Sequence, residues 1–159
     1  MDKKRGVFLI LHNIRSLHNI GSIFRTADAA GVNKIFLTGY TPTPVDVFEK
    51  TKKEILKTAL GAEKFVAWEK IKSAGFLIKK LKGEKVFIVG VEQARGAVNY
   101  RKIRPRFPVA LIFGNEVRGI NKNILSKCDK IMEIPMYGKK ESLNVAVSIG
   151  IILYEIIHK

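Results

Sequence analysis

Apolar runs bounded by turn residues predict strands at Val7 to Leu11, Lys34 to Thr38, Val86 to Val91, Val109 to Phe113 and Lys130 to Ile134, with a weaker one near Phe65 to Ala67. Most of these runs are continuous rather than alternating. Continuous runs belong to strands covered on both faces, as in a parallel sheet flanked by helices. Between them lie predicted helices: Ser22 to Ala30 closed by Gly31, Asp46 to Leu60 closed by Gly61, Trp68 to Leu81 closed by Gly83, Asn121 to Lys127, and Leu143 to His158. Strand and helix alternate throughout, which predicts an α/β domain with right-handed crossovers and without internal repeats. A chain of 159 residues, 47% apolar, suits one domain with a single sizeable core, and residues 1–159 are read as that domain with no added extension.

The last predicted helix is unusual. From Leu143 to Ile157 only Asn144, Ser148 and Glu155 are clearly polar, so apolar side chains fall on every face and one-sided packing cannot bury them all. The segment is shorter than the roughly 20 residues a bilayer span needs. It therefore reads as a core or subunit-interface helix, with no membrane role. The N-terminal segment has no signal-peptide pattern, and the lone Cys128 has no disulfide partner, so a cytoplasmic location is expected. No cluster of His, Cys and carboxylates has metal-ligand spacing, and His12 and His18 lack a completing third group.

Charge narrows the partner. A formal net charge of +15 favours a polyanion, chiefly nucleic acid, although 21 of the 29 basic side chains are lysines that also serve solubility. The arginines cluster at Arg95, Arg101, Arg104 and Arg106. Ligands of open α/β sheets gather beyond the carboxyl ends of the strands, which directs attention to three loops. The first, His12 to Gly21, leads into a helix that Asn19 is placed to cap, with Ser22 and Arg25 on one face. Next comes Gly114 to Ile120, a Gly-x-Glu-x-x-Gly turn; neither a dinucleotide fingerprint nor a P-loop occurs anywhere. The third, Pro135 to Ser142, enters the apolar helix, where Ser142 is the default cap and Asn144 is an amide that requires a partner.

Together these loops resemble the three motifs of the SpoU (TrmH-like) family of RNA methyltransferases, within the SPOUT superfamily. Asn19-Ile20-Gly21-Ser22-Ile23-Phe24-Arg25 is similar to its N-x-G-x-x-x-R, Gly114-Asn115-Glu116-Val117-Arg118-Gly119 to its G-x-E-x-x-G, and Ile134-Pro135-Met136 followed by Ser142-Leu143-Asn144-Val145 to its I-P-M…S-L-N-V. Order and separation agree over essentially the whole chain. The resemblance implies an α/β fold whose C-terminal segment is threaded into a deep trefoil knot. It also implies S-adenosylmethionine bound in that knot, largely by backbone groups, at Val89, Gly90, Gly114, Gly119, Ile134, Met136, Ser142 and Leu143. A homodimer through the C-terminal helix is implied as well.

The implied chemistry is methyl transfer to a ribose 2′-hydroxyl of RNA, with Arg25, Asn19, Glu116, Ser142 and Asn144 as catalytic or positioning residues. Arginine holds its proton, its pKa lying above about 12, so an anchoring role for Arg25 on phosphate or an oxyanion is preferred to a general-base role. The absence of the extensions carried by several relatives leans towards tRNA over ribosomal RNA. A non-catalytic knotted RNA-binding protein is the rival reading, opposed by the intact Asn19, Arg25, Glu116 and Asn144. The segment Thr38 to Pro44 and the lysines Lys50, Lys52, Lys53 and Lys57 after it either touch RNA or form a rigid turn and a solvated helix face.

Overall fold

Continuous apolar runs need cover on both sides, and a seven-stranded sheet with helices on each face supplies it. The structure, a computed structural model, describes residues 6–46, 48 and 52–159. Its strands are β1 (Val7–His12), β2 (Lys34–Thr38), β3 (Trp68–Ile71), β4 (Phe87–Val91), β5 (Val98–Asn99), β6 (Val109–Phe113) and β7 (Lys130–Glu133), in the spatial order β3-β2-β1-β6-β4-β7-β5. Every pairing of these strands is parallel, from Phe8 opposite Lys34 in the β1–β2 ladder to Val98 opposite Met132 at the β5 edge. The helices are α1 (Leu17–Ala29), α2 (Lys53–Ala59), α3 (Ala74–Gly83), α4 (Lys122–Leu125) and α5 (Val145–Ile157).

The alternation of side chains along a strand splits the core in two. Leu9, Leu11, Leu111 and Phe113 point into a cluster with Ile20, Ile23 and Phe24 of α1 and Ile149, Ile152 and Leu153 of α5. Ile10, Ala110 and Ile112 point the other way, onto Leu77, Ile78 and Leu81 of α3 and onto Ile124. Helix α5 packs on α1 and buries Val145, Ile149, Ile152, Leu153 and Ile156, spaced as one helical face. Its other side leaves Val147 51% and Tyr154 46% exposed, the uncovered apolar surface that the sequence implies. Among the described residues, no helix is long and apolar enough to cross a membrane.

Several boundaries differ from expectation. The weak strand lies at Trp68–Ile71, just past Phe65 to Ala67, because those four residues pair with Ile35 to Thr38 at the sheet edge. The helix expected from Trp68 therefore begins at Ala74, where the Ser73 hydroxyl accepts from the Phe76 N–H at 3.2 Å. Helix α1 starts at Leu17 rather than Ser22, since Ser16 and not Asn19 is its cap. Of the helix expected over Asp46 to Leu60, Val47, Glu49, Lys50 and Thr51 lie outside the described residues, and α2 runs from Lys53 to Ala59. No helix joins β4 to β6. The connection instead carries the two-residue strand β5, so strand-helix alternation breaks there.

Because β1, β6, β4 and β7 are neighbours and parallel, the loops after all four emerge at one edge of the sheet.

Candidate active site

Three loops meet at that edge through a chain of side-chain hydrogen bonds with one polarity. In the β6–α4 loop, Glu116 accepts through Oε1 from the backbone N–H groups of Arg15 and Ser16, at 3.1 and 3.0 Å. The Asn19 amide lies beside it and also favours the anion. Burial pushes the Glu116 carboxyl up, but the N–H groups of Ser16, Glu116 itself and Arg15, with the Asn19 amide, pull harder the other way. The group ends below the ordinary carboxylate value. Glu116 is thus an anion seated against the amides that lead into α1, where the helix dipole favours negative charge.

With its N–H₂ turned to Glu116, Asn19 offers its Oδ1, which accepts from the Asn144 amide at 3.1 Å. Asn144 in turn presents Oδ1 to the N–H groups of Ala146 at 2.9 Å and Val147 at 3.4 Å, capping α5. Asn144 is therefore the helix cap itself, exposed and bonded through its oxygen and one amide N–H, rather than a buried amide inside the helix. Ser142, the default cap, lies two residues ahead of it and is exposed. Because each Asn must give its N–H₂ to one neighbour and its oxygen to the other, the orientation of both amides is dictated by the row.

Beside this row lies a cleft of about 280 Å³. Gly114 and Gly119 form one wall. A Cβ on Gly114 would stand 2.4 Å from the Gly119 carbonyl carbon, and Gly119 has φ +64° with no room for a Cβ beside Glu92 Oε2 at 2.1 Å. Ile134, Met136, Ser142 and Leu143 contribute the opposite wall. Of the residues expected to bind cofactor, Val89 and Gly90 do not reach the cleft. Val89 is fully buried, and Gly90 faces Leu125 and Cys128. The chain reaches the cleft immediately after them, with Val91, Glu92 and Gln93.

The lining is electrostatically distinct from the rest of the chain. Among the described residues, Glu92, Glu116, Glu133 and Glu141 border the cleft and no Lys, Arg or His does, in a protein with 29 basic and 14 acidic residues. Such a lining suits a ligand that carries positive charge on an otherwise neutral body.

Arg25 stands apart from the cleft. It lines a second depression with Ser22, Thr26, Lys57, Thr58 and the exposed Tyr154 of α5. Gly21, the glycine of the first motif, is a packing residue: a Cβ there would meet the Ile55 carbonyl oxygen of α2 at 2.3 Å. Two residues escaped sequence reasoning. Glu92 accepts from the Ile120 N–H at 2.8 Å and so closes the glycine loop, and its only signal is its place directly after β4. Asn115, buried, donates to the Asn13 carbonyl and to Tyr40 Oη, both at 2.9 Å, and accepts from the Val117 and Arg118 N–H groups. Its signal was a position between two motif residues.

Comparison with known proteins adds the following. The model of the SpoU rRNA Methylase family matches residues 6–154. A putative TrmH family tRNA/rRNA methyltransferase, YacO of Bacillus subtilis, is 31% identical over 157 residues, covering 96% of this chain and 58% of that protein. The chain thus spans a little under three fifths of that curated relative. Among solved structures, the AdoMet-bound rRNA methyltransferase of Sinorhizobium meliloti superposes with a TM-score of 0.83 at 29% identity, covering 96% of this chain and 56% of that one. A structure concerned with the 2-OH methylation of C/U34 on tRNA gives a TM-score of 0.81 at 26% identity, covering 95% of this chain and 93% of that one.

Proposed function

This chain belongs to the SpoU methylase family, and from that membership we propose that it transfers a methyl group from S-adenosylmethionine to a ribose 2′-hydroxyl of RNA. tRNA is the favoured substrate over ribosomal RNA, and the protein acts as a cytoplasmic homodimer. The observation that carries the reading is the Glu116–Asn19–Asn144 row, which ties one residue from each of the three motif loops into a single fixed arrangement beside an acidic cleft. The preference for tRNA draws on the tRNA-methylation structure, which is matched over nearly its full length.

The cleft fits the cofactor on chemical grounds. Four carboxylates and, among the described residues, no basic side chain suit a sulfonium and an ammonium group, while Ile134, Met136 and Leu143 suit the apolar parts. Gly114, Gly119, Ile134, Met136, Ser142 and Leu143 would hold it, with Val91, Glu92 and Gln93 in the place expected of Val89 and Gly90. When bound, it supplies an electrophilic methyl group on a cationic sulfur, which leaves as a neutral thioether as the ribose oxygen accepts the methyl and gives its proton to solvent.

The chain's own residues provide alignment. Glu116 fixes the loop ahead of α1, and Asn19 passes that constraint to Asn144. The Asn144 amide has a second N–H with no partner among the described residues, which can orient a ribose oxygen beside the cleft. Glu116 is saturated by donors and so serves as a positioning anion rather than a base. Arg25 acts as the phosphate anchor. Its position beside Tyr154, on the side of α5 that its own chain leaves uncovered, suits a homodimer in which Arg25 serves the cleft across the interface. The same uncovered face, with Val147 and Tyr154, is the one a second copy would bury. The knot is carried by family resemblance and is supported by the sheet order, in which β7 lies beside β4 while the loop after it returns to α1.

Incubation with methyl-labelled cofactor and unmodified tRNA or rRNA transcripts tests the reading. Label in tRNA alone is expected; label in rRNA alone corrects the substrate, and label in neither overturns the reaction.

A further inference from the structure

A second, differently built surface adjoins the cleft. Asn115 and Val117, which border the cleft, also border a depression whose remaining lining is Arg15, Tyr40 and Arg118. Tyr40 is 56% exposed, yet the residue is held from several directions. Its N–H donates to Asn13 Oδ1 at 3.1 Å, and its hydroxyl oxygen accepts from the Asn115 amide at 2.9 Å. Lys70 grips the carbonyls on either side of it, those of Gly39 and Thr41, at 2.6 Å each. Gly39 makes the turn at φ +62°, where an added Cβ would overlap Asn13 Oδ1, and Thr41 is fully buried with its hydroxyl donating to the Leu11 carbonyl at 2.8 Å.

A tyrosine whose only task was to brace a loop would gain by burying its ring. Here the backbone and hydroxyl are fixed while the aromatic face is left open, which is how a stacking platform is prepared at low entropic cost. Arg15 and Arg118 border the same depression, and neither forms an ion pair among the described residues. A ring flanked by two unpaired arginines complements a nucleobase and its neighbouring phosphates.

We infer that Tyr40, Arg15 and Arg118 form a nucleotide-binding subsite that stacks a base of the substrate RNA next to the methylated residue, with the arginines on the adjoining phosphates. The inference rests on the RNA methyltransferase reading. It assigns to Tyr40 a part in RNA recognition that neither the motifs nor the cofactor cleft require.

The test compares Tyr40→Leu, Tyr40→Phe and the pair Arg15→Ala with Arg118→Ala. Affinity for unmodified tRNA and rRNA transcripts is measured across a salt series, with S-adenosylmethionine binding by calorimetry as the check that the cleft is intact. Tyr40→Leu is expected to weaken RNA binding roughly ten- to a hundred-fold, as loss of one base stack does. Tyr40→Phe, which loses the Asn115 hydrogen bond but keeps the ring, stays within about three-fold on the same ground. The double arginine variant lowers the slope of log affinity against log salt by about one and a half, the value for two phosphate contacts. Equal affinity of Tyr40→Leu and wild type, or an equal loss in Tyr40→Phe and Tyr40→Leu, overturns this inference alone. Failure of the wild type to bind either RNA overturns it together with the reading beneath it.

Discussion

Asn144 carries two separable duties, and two substitutions divide them. Its Oδ1 caps α5 through Ala146 and Val147, and its amide N–H₂ links the cap to Asn19. Asn144→Ala removes both. A cap is worth about 1 kcal/mol and a neutral hydrogen bond about as much, so the loss is about 2 kcal/mol. In a chain of this size that lowers Tm by roughly 4–8 °C. Asn144→Asp keeps an acceptor on the helix N–H groups and adds a favourable interaction with the helix dipole of about 0.3–1 kcal/mol, which nearly offsets the lost link. The new carboxylate cannot donate to Asn19, however, and Asn19 cannot turn its N–H₂ towards it without facing Glu116 with an oxygen. The expected result is near-normal Tm with turnover reduced on the order of a hundred-fold, the effect of about 1 Å of misplacement. Thermal melts and single-turnover methyl transfer read the two quantities. Wild-type turnover in Asn144→Asp would refute the role of the row in alignment, and an unchanged Tm in Asn144→Ala would refute the cap.

Further expectations follow from the same geometry. Glu116 is lowered from its ordinary value of 4.5, so its contribution to stability is complete above that value and is lost as pH falls through the lower folded one. Urea unfolding from neutral to acid pH should show a steeper acid loss for wild type than for Glu116→Gln, and parallel curves would contradict this. Gly119→Ala places a Cβ against Glu92 at a positive φ, so calorimetric affinity for S-adenosylmethionine should fall by about ten-fold or more, in line with the roughly 1–2 kcal/mol such a backbone costs. Arg25→Lys keeps the charge but loses the bidentate fork, and is expected to abolish turnover while cofactor binding stays intact; wild-type turnover would remove Arg25 from the mechanism.

Much of this arrangement was legible because its parts are local. Continuous apolar runs such as Val109 to Phe113 announce strands buried on both faces, and the motif loops fall where such strands end. Boundaries set by tertiary contacts were not legible: Trp68 to Ile71 reads as helix until its pairing with β2 is seen, and Asn19 reads as a cap although α1 already begins at Leu17, where the Ser16 hydroxyl accepts from the Asn19 N–H. Glu92 and Asn115 could not be picked out, since what makes them matter is a backbone loop brought to them by the sheet order. Arg25 illustrates the converse. Its spacing from Asn19 places it in one motif, yet the helix turns it to a different surface.

Methyl transfer to a ribose oxygen leaves a product whose chemistry distinguishes it from a methylated base. RNA labelled by this protein and methyl-labelled cofactor is hydrolysed in alkali, which cleaves wherever a free 2′-hydroxyl is present. The account predicts label in alkali-resistant dinucleotides, at one position and in Asn144-dependent yield. Label recovered only in mononucleotides would mean a methylated base and would contradict it.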